Sequence, residues 1–389
     1  MPTILLASVL KPVDDPRMRG KFAPTLAAAG VRVAVAGRAG TLIADERITQ
    51  HPIFHGSRLS WGRLVAHWRY WRLLHRLQPV LVVVHAPELL PLTLLWQRLG
   101  RGRRFGYDIR ENYALNVSTQ RVYRGLVRRG LAAGLRWVES AAACRAEAVL
   151  LAEASYADEL PFLRPLPAGR VLLLENKYQP APTETLPRLP RPLPSPTEPL
   201  RLLYSGTISE LNGIGEALAL AEELHRRRPG GVVLTVAGFC QQPAVLARLL
   251  ALVAQRQPWL RLLGGAELVP HATIVAEIAQ AHLGLALYRP HPSTARCRPT
   301  KLFEYLAYSL PVLVPANPLW ASLVQQHDAG LVVADTTPAA LAEQVLAATA
   351  PGSQGFYRQG LPTDVLWADE GKKLGHLLES LGVSPTFAA

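Results

Sequence analysis

The chain has 389 residues, 49% of them hydrophobic and 18% charged, which excludes a single small module and a disordered or fibrous chain and predicts two or three domains of roughly 100 to 200 residues. Lys and Arg number 42 against 29 Asp and Glu, and the excess lies in the first half, with +12 over residues 1–175 and +1 over residues 176–389. That basic half therefore faces something anionic: nucleic acid, a phosphate-bearing substrate or an acidic membrane surface.

The opening run, MPTILLASVLKPVDDPR, is apolar but has no basic segment before it and meets charge and Pro at once, so it predicts a first strand, Thr3–Ser8, rather than a signal peptide. Asp14 and Asp15, in the loop after it, either orient a ligand or cap a helix near Pro16. A strand over Val31–Ala36 precedes RLSWGRLVAHWRYWRLLHR (residues 58–76), where helical spacing puts Trp61, Leu64, Val65, Trp68, Trp71 and Leu74 on or near one face. The favoured expectation is that this stripe packs on a sheet and leaves a solvated basic face.

Val80–His85 reads as the next strand; the stretch it opens, up to Trp96, is interrupted by His85, Pro87, Glu88 and Pro91 and cannot span a membrane. His85 at the strand end either approaches a reacting group or fills a core or capping role. Strands follow at Arg104–Asp108, Ala148–Ala152 and Arg170–Leu174; between them lie Arg110 and Glu111, an ion pair or a functional pair, and a second Arg-rich helical stretch at residues 121–136. Cys144, Cys240 and Cys297 are too far apart in sequence for a metal-ligand spacing or a disulfide framework and fit a reducing cytosol.

Between Tyr178 and Pro199 eight prolines rule out a helix or a paired strand. Residues 178–199 are the expected linker between an N-terminal domain, 1–177, and a C-terminal one, 200–365, with residues 366–389 closing the chain as a helix. In the second half strands are expected at Arg201–Tyr204, Val232–Ala237, Leu260–Leu263, Leu283–Leu287, Pro311–Val314 and Gly330–Val333. The alternation of strands and helices predicts an α/β fold, two doubly wound parallel sheets facing each other across a cleft, with ligands at the carboxyl ends of the strands.

Two places in the second half carry chemistry. Ser205-Gly206-Thr207-Ile208 follows a strand and Asn212-Gly213 opens a helix, so backbone N–H groups can approach a phosphate or a sugar there, although many such loops need Gly only to turn. In YRPHPSTARCRPTKLFEYLAYSLP (residues 288–311) a helix starts at Pro299 or Thr300, with Lys301 in its first turn, Glu304 three residues on, and Arg296 and Arg298 just before. A diphosphate suits such a basic helix N-terminus. Glu304 either binds neighbouring ribose hydroxyls or pairs with Lys301.

The run PTKLFEYLAYSLPVLVPANPLWASLVQQHDAGLVV resembles the donor-site signature of the retaining GT-B glycosyltransferases of family GT4. SVLKPVDDPRMRGKFAPTLAAAGVRVAVAG, VLVVVHAPELLPL, YDIRENY, VLLLENKY, YSGTISELNGI and WADEGKKLGHLLESL stand in the order of that family's segments. The resemblance implies two Rossmann-like domains of GT-B architecture, a closing helix packed back on the first of them, and sugar transfer from a nucleotide to a glycan or glycolipid hydroxyl with retention. It implies donor binding by Gly206, Thr207, Asn212, Gly213, Arg296, Arg298, Thr300, Lys301 and Glu304, with Glu304 on the ribose. Acceptor contacts fall to Asp14, Asp15 and Arg17, and catalytic roles to His85, Arg110 and Glu111. No metal and no cofactor are expected beyond the nucleotide sugar as co-substrate.

Three positions depart from the family pattern. The first Glu of the E-x7-E motif is Arg296 here, Arg110 stands where His is common, and Thr207 and Asn212 occupy the neighbourhood of the usual basic pair. A nucleotide-sugar epimerase on the same fold and a non-catalytic nucleotide- or partner-binding relative are the alternatives. Expected partners are a sugar nucleotide, a glycan or lipid-linked acceptor and an anionic membrane surface, not nucleic acid, since no nucleic-acid-reading motif accompanies the charge. The expected location is cytoplasmic, peripheral on the inner face of the membrane, in envelope polysaccharide assembly.

Overall fold

A computed structural model describes residues 1–56, 60–119, 125–167, 169–195, 197–256, 258–292 and 294–383. Residues 58–59 and 121–124 of the two Arg-rich stretches lie outside the described residues. Contacts divide the chain into two units, residues 1–181 with 367–389, and residues 182–366.

Unit 1 is built on a seven-stranded parallel sheet of order β3-β2-β1-β4-β5-β6-β7. Its strands are β1 (Thr3–Pro12), β2 (Arg32–Arg38), β3 (Ile48–Phe54), β4 (Leu81–Val84), β5 (Phe105–Ile109), β6 (Ala148–Leu151) and β7 (Val171–Leu173). β1, β2, β4, β5 and β6 are short, mainly apolar runs buried along most of their length, as a parallel sheet covered by helices requires, while β7 is half-buried. The expected strands are present; β3, with the polar sequence ITQHPIF, was not anticipated. As an edge strand it tolerates Pro52 and needs only one buried face.

The helices that connect these parallel strands cover the sheet. One face carries α1 (Ala23–Ala28), and Ile4, Leu6, Val33, Val35, Leu81 and Val83 pack in the same cluster as Leu26. The closing helix Trp367–Ser380 joins it there through Trp367, Leu374 and Leu378. Trp367 donates its backbone N–H to the Tyr178 carbonyl (2.7 Å) and its Nε1–H to Thr25 Oγ1 (3.0 Å). The other face carries α2 (Gly62–Leu77), α3 (Leu90–Arg98) and α5 (Gly125–Ala143), with α4 (Tyr113–Thr119) leading into α5.

The stripe on α2 is a correction. Its buried residues are Ala66, Tyr70, Leu73 and Leu74, whereas Trp61, Leu64, Val65 and Trp68 face outward. Of the expected stripe Leu74 is buried and Trp71 half-buried, and the rest of the inner side is made by Ala66, Tyr70 and Leu73, which grouping the large apolar residues missed.

Unit 2 holds a six-stranded parallel sheet of order β10-β9-β8-β11-β12-β13. The strands are β8 (Leu200–Thr207), β9 (Val232–Phe239), β10 (Leu260–Gly265), β11 (Leu283–Leu285), β12 (Val312–Pro315) and β13 (Gly330–Val333). Relative to its first strand this is the order 3-2-1-4-5-6 of dinucleotide-binding folds, whose ligand crevice opens at the carboxyl ends where the order reverses. That point lies between β8 and β11 here, and between β1 and β4 in unit 1. No described helix is long and apolar enough to cross a membrane.

Candidate functional site

In unit 2 the expected donor residues come from both sides of the reversal point. β8 ends in Gly206 and Thr207, and Gly206 has φ +94°, a conformation that L side chains rarely adopt. The turn beyond is braced from within: the Tyr204 hydroxyl (2.9 Å) and Asn212 Nδ2 (3.0 Å) both donate to the Thr207 carbonyl. Gly213, at φ +84°, starts the helix Ile214–Arg227 so close to the Leu287 carbonyl that a Cβ would run into it. Asn212 and Gly213 therefore shape this loop, and Gly206 and exposed Thr207 form its open edge.

From the other side comes the helix Thr300–Ala307, entered after Pro299. Leu302 donates back to the Pro299 carbonyl (3.0 Å), while the N–H groups of Thr300 and Lys301 find no partner among the described residues. Lys301 is 7% exposed, and its ammonium lies 4.5 Å from the ring centre of Tyr204 and 5.2 Å from that of Tyr288. A buried ammonium needs hydrogen-bond acceptors, but Nζ has none among the described residues. Burial pushes its pKa down to about 7, against a smaller upward pull from Glu304. The site thus presents a buried cation, two N–H groups without a partner among the described residues and the start of a helix, features that an anion would satisfy.

Glu304, half-buried on the same helix, does not hydrogen-bond Lys301. Its Oε1 lies 2.6 Å from His271 Nε2, and His271 Nδ1 stands 3.7 Å from Glu184. Tyr305 donates structure rather than chemistry, its hydroxyl holding Ser205 N (3.1 Å) and Oγ (2.8 Å) and so locking the helix to the end of β8. Arg296 is exposed and Arg298 half-buried in the segment before this helix.

Unit 1 gathers a second cluster around its own reversal point. His85, immediately after β4, is fully buried and sets Nδ1 2.7 Å from Asp108 Oδ2 on β5. Arg17 donates to both oxygens of the same carboxylate, through Nε (2.8 Å) and Nη2 (2.7 Å). Burial opposes the charge on Asp108, but Arg17 and His85 outweigh it and hold the carboxyl well below its ordinary range. An ionised carboxylate only accepts, so Nδ1 carries the proton and the neutral imidazole leaves Nε2 as an acceptor. Nε2 is buried with no hydrogen-bond partner among the described residues. The His85 pKa is lowered, by burial first and then by Arg110 and Arg17, against the pull of Asp108.

The acceptor-side expectations separate on this geometry. Asp15, buried, accepts the N–H groups of Arg17 and Met18 (3.0 Å each) and so opens the helical turn Met18–Phe22; it also takes Arg110 at 2.8 and 3.1 Å. Arg17 is enclosed by Asp108 and the rings of Phe22 and Trp367, so its part is to hold the cluster rather than to face an acceptor. Half-buried Asp14 accepts from Thr41 N (3.1 Å). Glu111 pairs with Lys11 (3.2 Å) and Asn116 (2.9 Å), not with Arg110. Asp108, His271, Tyr204 and Tyr288 were not anticipated; the only signal for Asp108 was a carboxylate inside the otherwise apolar strand FGYDI.

No family model matches the sequence, and no curated protein matches it. Solved structures do. Sucrose-phosphate synthase from Thermosynechococcus elongatus superposes with a TM-score of 0.67 at 16% identity over 99% of this chain and 100% of that one. HepE from Anabaena, in complex with UDP and glucose, gives 0.62 at 14% identity over 98% and 100%. WaaG, a glycosyltransferase involved in lipopolysaccharide biosynthesis, gives 0.58 at 16% identity over 98% and 96%. These likenesses establish the fold as GT-B, two Rossmann-like units in one chain.

Proposed function

We propose that the protein is a glycosyltransferase that moves a sugar from a nucleotide-sugar donor to a hydroxyl of a glycan or glycolipid acceptor, with retention. The observation that carries this reading is Lys301, a buried ammonium without an acceptor among the described residues, on the same helix turn as the N–H groups of Thr300 and Lys301, likewise unpartnered there, and near the backbone of Gly206. A departing diphosphate supplies the acceptor atoms this arrangement lacks, and its charge is stabilised where it develops. Glu304 takes the ribose hydroxyls, with His271 orienting the carboxylate. In unit 1, His85 offers Nε2 to a sugar hydroxyl, with Asp108 and Arg17 fixing its tautomer. Asp14 and Glu111, both partly exposed, are left for the acceptor. The fold is shared with proteins described as sugar-phosphate synthases and as a lipopolysaccharide glycosyltransferase, and one was crystallised with UDP and glucose.

Calorimetry with a panel of nucleoside diphosphates, followed by transfer assays with the matching sugar nucleotides, tests the reading. Glu304→Gln should weaken nucleotide binding by about 1.5 to 3 kcal/mol, the cost of one charge-assisted hydrogen bond, in a folded protein. Unchanged affinity for every nucleotide the parent binds would remove Glu304 from the ribose site. Conversion of a sugar nucleotide by NMR with no acceptor present would make the protein an epimerase. Nucleotide binding without donor hydrolysis or transfer would make it a non-catalytic relative.

A further inference from the structure

The three helices α2, α3 and α5 cover one face of the unit 1 sheet, and their outward sides are unusually apolar for a surface. Trp61, at the N-cap of α2, is 85% exposed and Trp68 on α2 56%, with Leu64 between them. On α3, the outward stripe is Pro91, Leu95 and Leu99. On α5, Leu126, Val127, Leu131 and Trp137 are all exposed, and only Glu139, Ala142 and Ala143 are buried. Helix α3 packs against both of the others, so these side chains belong to one continuous layer. Scattered exposed apolar residues are ordinary; a layer with three outward tryptophans and at least six outward aliphatic side chains requires a partner.

Charge says what the partner is. Residues 60–104 and 125–145 contain twelve arginines and two glutamates. The two acids are spent inside the layer, Glu88 on Arg63 and Glu139 on the Tyr107 hydroxyl and Arg136. Arg72, Arg98, Arg101, Arg128 and Arg129 have no ion pair among the described residues. Between α2 and the edge strand β3 lies a groove of about 530 Å³ lined by Trp68, Arg69, Arg72, Arg76 and His51, with no carboxylate on its walls. A second copy of this chain would bring the same unpaired cations against these, and a nucleic acid would leave the aliphatic residues in water. An anionic bilayer satisfies both features, because tryptophan and leucine enter the interface while guanidinium groups meet phosphates.

We propose that the outer face of the α2–α3–α5 layer docks on an anionic phospholipid bilayer, with Trp61, Trp68 and Trp137 at the headgroup level and lipid phosphate in the arginine groove beside β3. The inference is independent of the sugar-transfer reading, whose nucleotide site lies in unit 2.

The test is sedimentation of the full chain with vesicles of phosphatidylglycerol mixed with phosphatidylcholine, compared with phosphatidylcholine alone, at low and high salt. Binding to the anionic vesicles only, weakened by salt and accompanied by a blue shift of tryptophan emission, is the expected result. Reversing Arg72, Arg98 and Arg129 to Glu together should reduce partitioning at least about a hundredfold, since each basic residue near such a surface contributes about fivefold. Replacing Trp61, Trp68 and Trp137 by Ser should abolish the blue shift. Nucleotide affinity, unchanged in both variants, verifies that they are folded. No binding at low salt, or equal binding to phosphatidylcholine alone, overturns the proposal. So does self-association of the parent in the ultracentrifuge that the tryptophan variant loses, which would make the layer an interface between copies.

Discussion

Lys301 can be charged or neutral near pH 7, and the difference decides how strongly it holds an anion. Burial lowers its pKa to about 7 in the free protein; a bound diphosphate raises it again, so binding takes up a proton. Affinity for a nucleoside diphosphate should therefore fall as pH rises from about 7.5 to 9, by up to tenfold per unit, until the pKa of the complex is passed. The matching nucleoside, without phosphates, should bind equally across this range, and Lys301→Ala should flatten the diphosphate curve. Calorimetry in two buffers of different ionisation enthalpy measures the proton directly; a flat curve in the parent would mean that the amine stays in one state throughout. The sequence singles out Lys301, Gly206 and Glu304 as expected donor contacts, the spacing alone leaving Glu304 open between ribose hydroxyls and a pairing with Lys301 that the structure does not show. The partners that define their chemistry could not be picked out. Tyr204 and Tyr288 cage the amine, and His271 meets Glu304 from 33 residues away. Asp108 likewise becomes central only when the chain brings it Arg17 from 91 residues away.

At the scale of elements, the sequence pattern located the buried strands because most are short, mainly apolar runs, and failed where burial is one-sided. β3, at a sheet edge, is buried only at Ile48, Ile53 and Phe54, with Thr49 exposed and Gln50, His51 and Pro52 half-buried, and α2 hides alanine and tyrosine while displaying tryptophan. Loops that bring elements close together are the most sensitive to substitution. Gly213 is the sharpest case in unit 2, with both a positive φ and the Leu287 carbonyl where a side chain would sit. Gly213→Ala must twist the backbone out of that region or push Leu287 away, and both the first turn of Ile214–Arg227 and the end of β11 would move. We expect a loss of at least about 2 kcal/mol in chemical denaturation, combining left-handed strain with the clash. Gly375→Ala, at a helical position with open space around it, is the control and should be neutral or slightly stabilising. Equal effects of the two substitutions would show that this turn relaxes freely.

Across the whole molecule the chain returns to its first unit after building its second, so the stability of residues 1–181 depends on residues nearly two hundred positions further on. The return is anchored by Trp367, 1% exposed, packed 5.4 Å from the ring of Phe22 and bonded to Thr25. Three residues later Glu370, fully buried, receives Lys177 and Lys373 at 2.8 Å each. Phe22 in turn lies edge-on to His85 at 5.2 Å, which ties the closing helix to the buried imidazole through one ring. Trp367→Ala should therefore cost about 3 to 5 kcal/mol, the usual penalty for emptying a large aromatic site, and the loss should fall on unit 1. Amide hydrogen exchange resolves where it falls, because local opening reports the free energy of each cooperative region. Peptides from β1, β2 and β4 should lose protection, while those from β8, β9 and β11 keep theirs. Loss of protection in both sheets to the same degree would mean that the two units unfold as one, and the closing helix would then stabilise the chain as a whole rather than the sheet it covers.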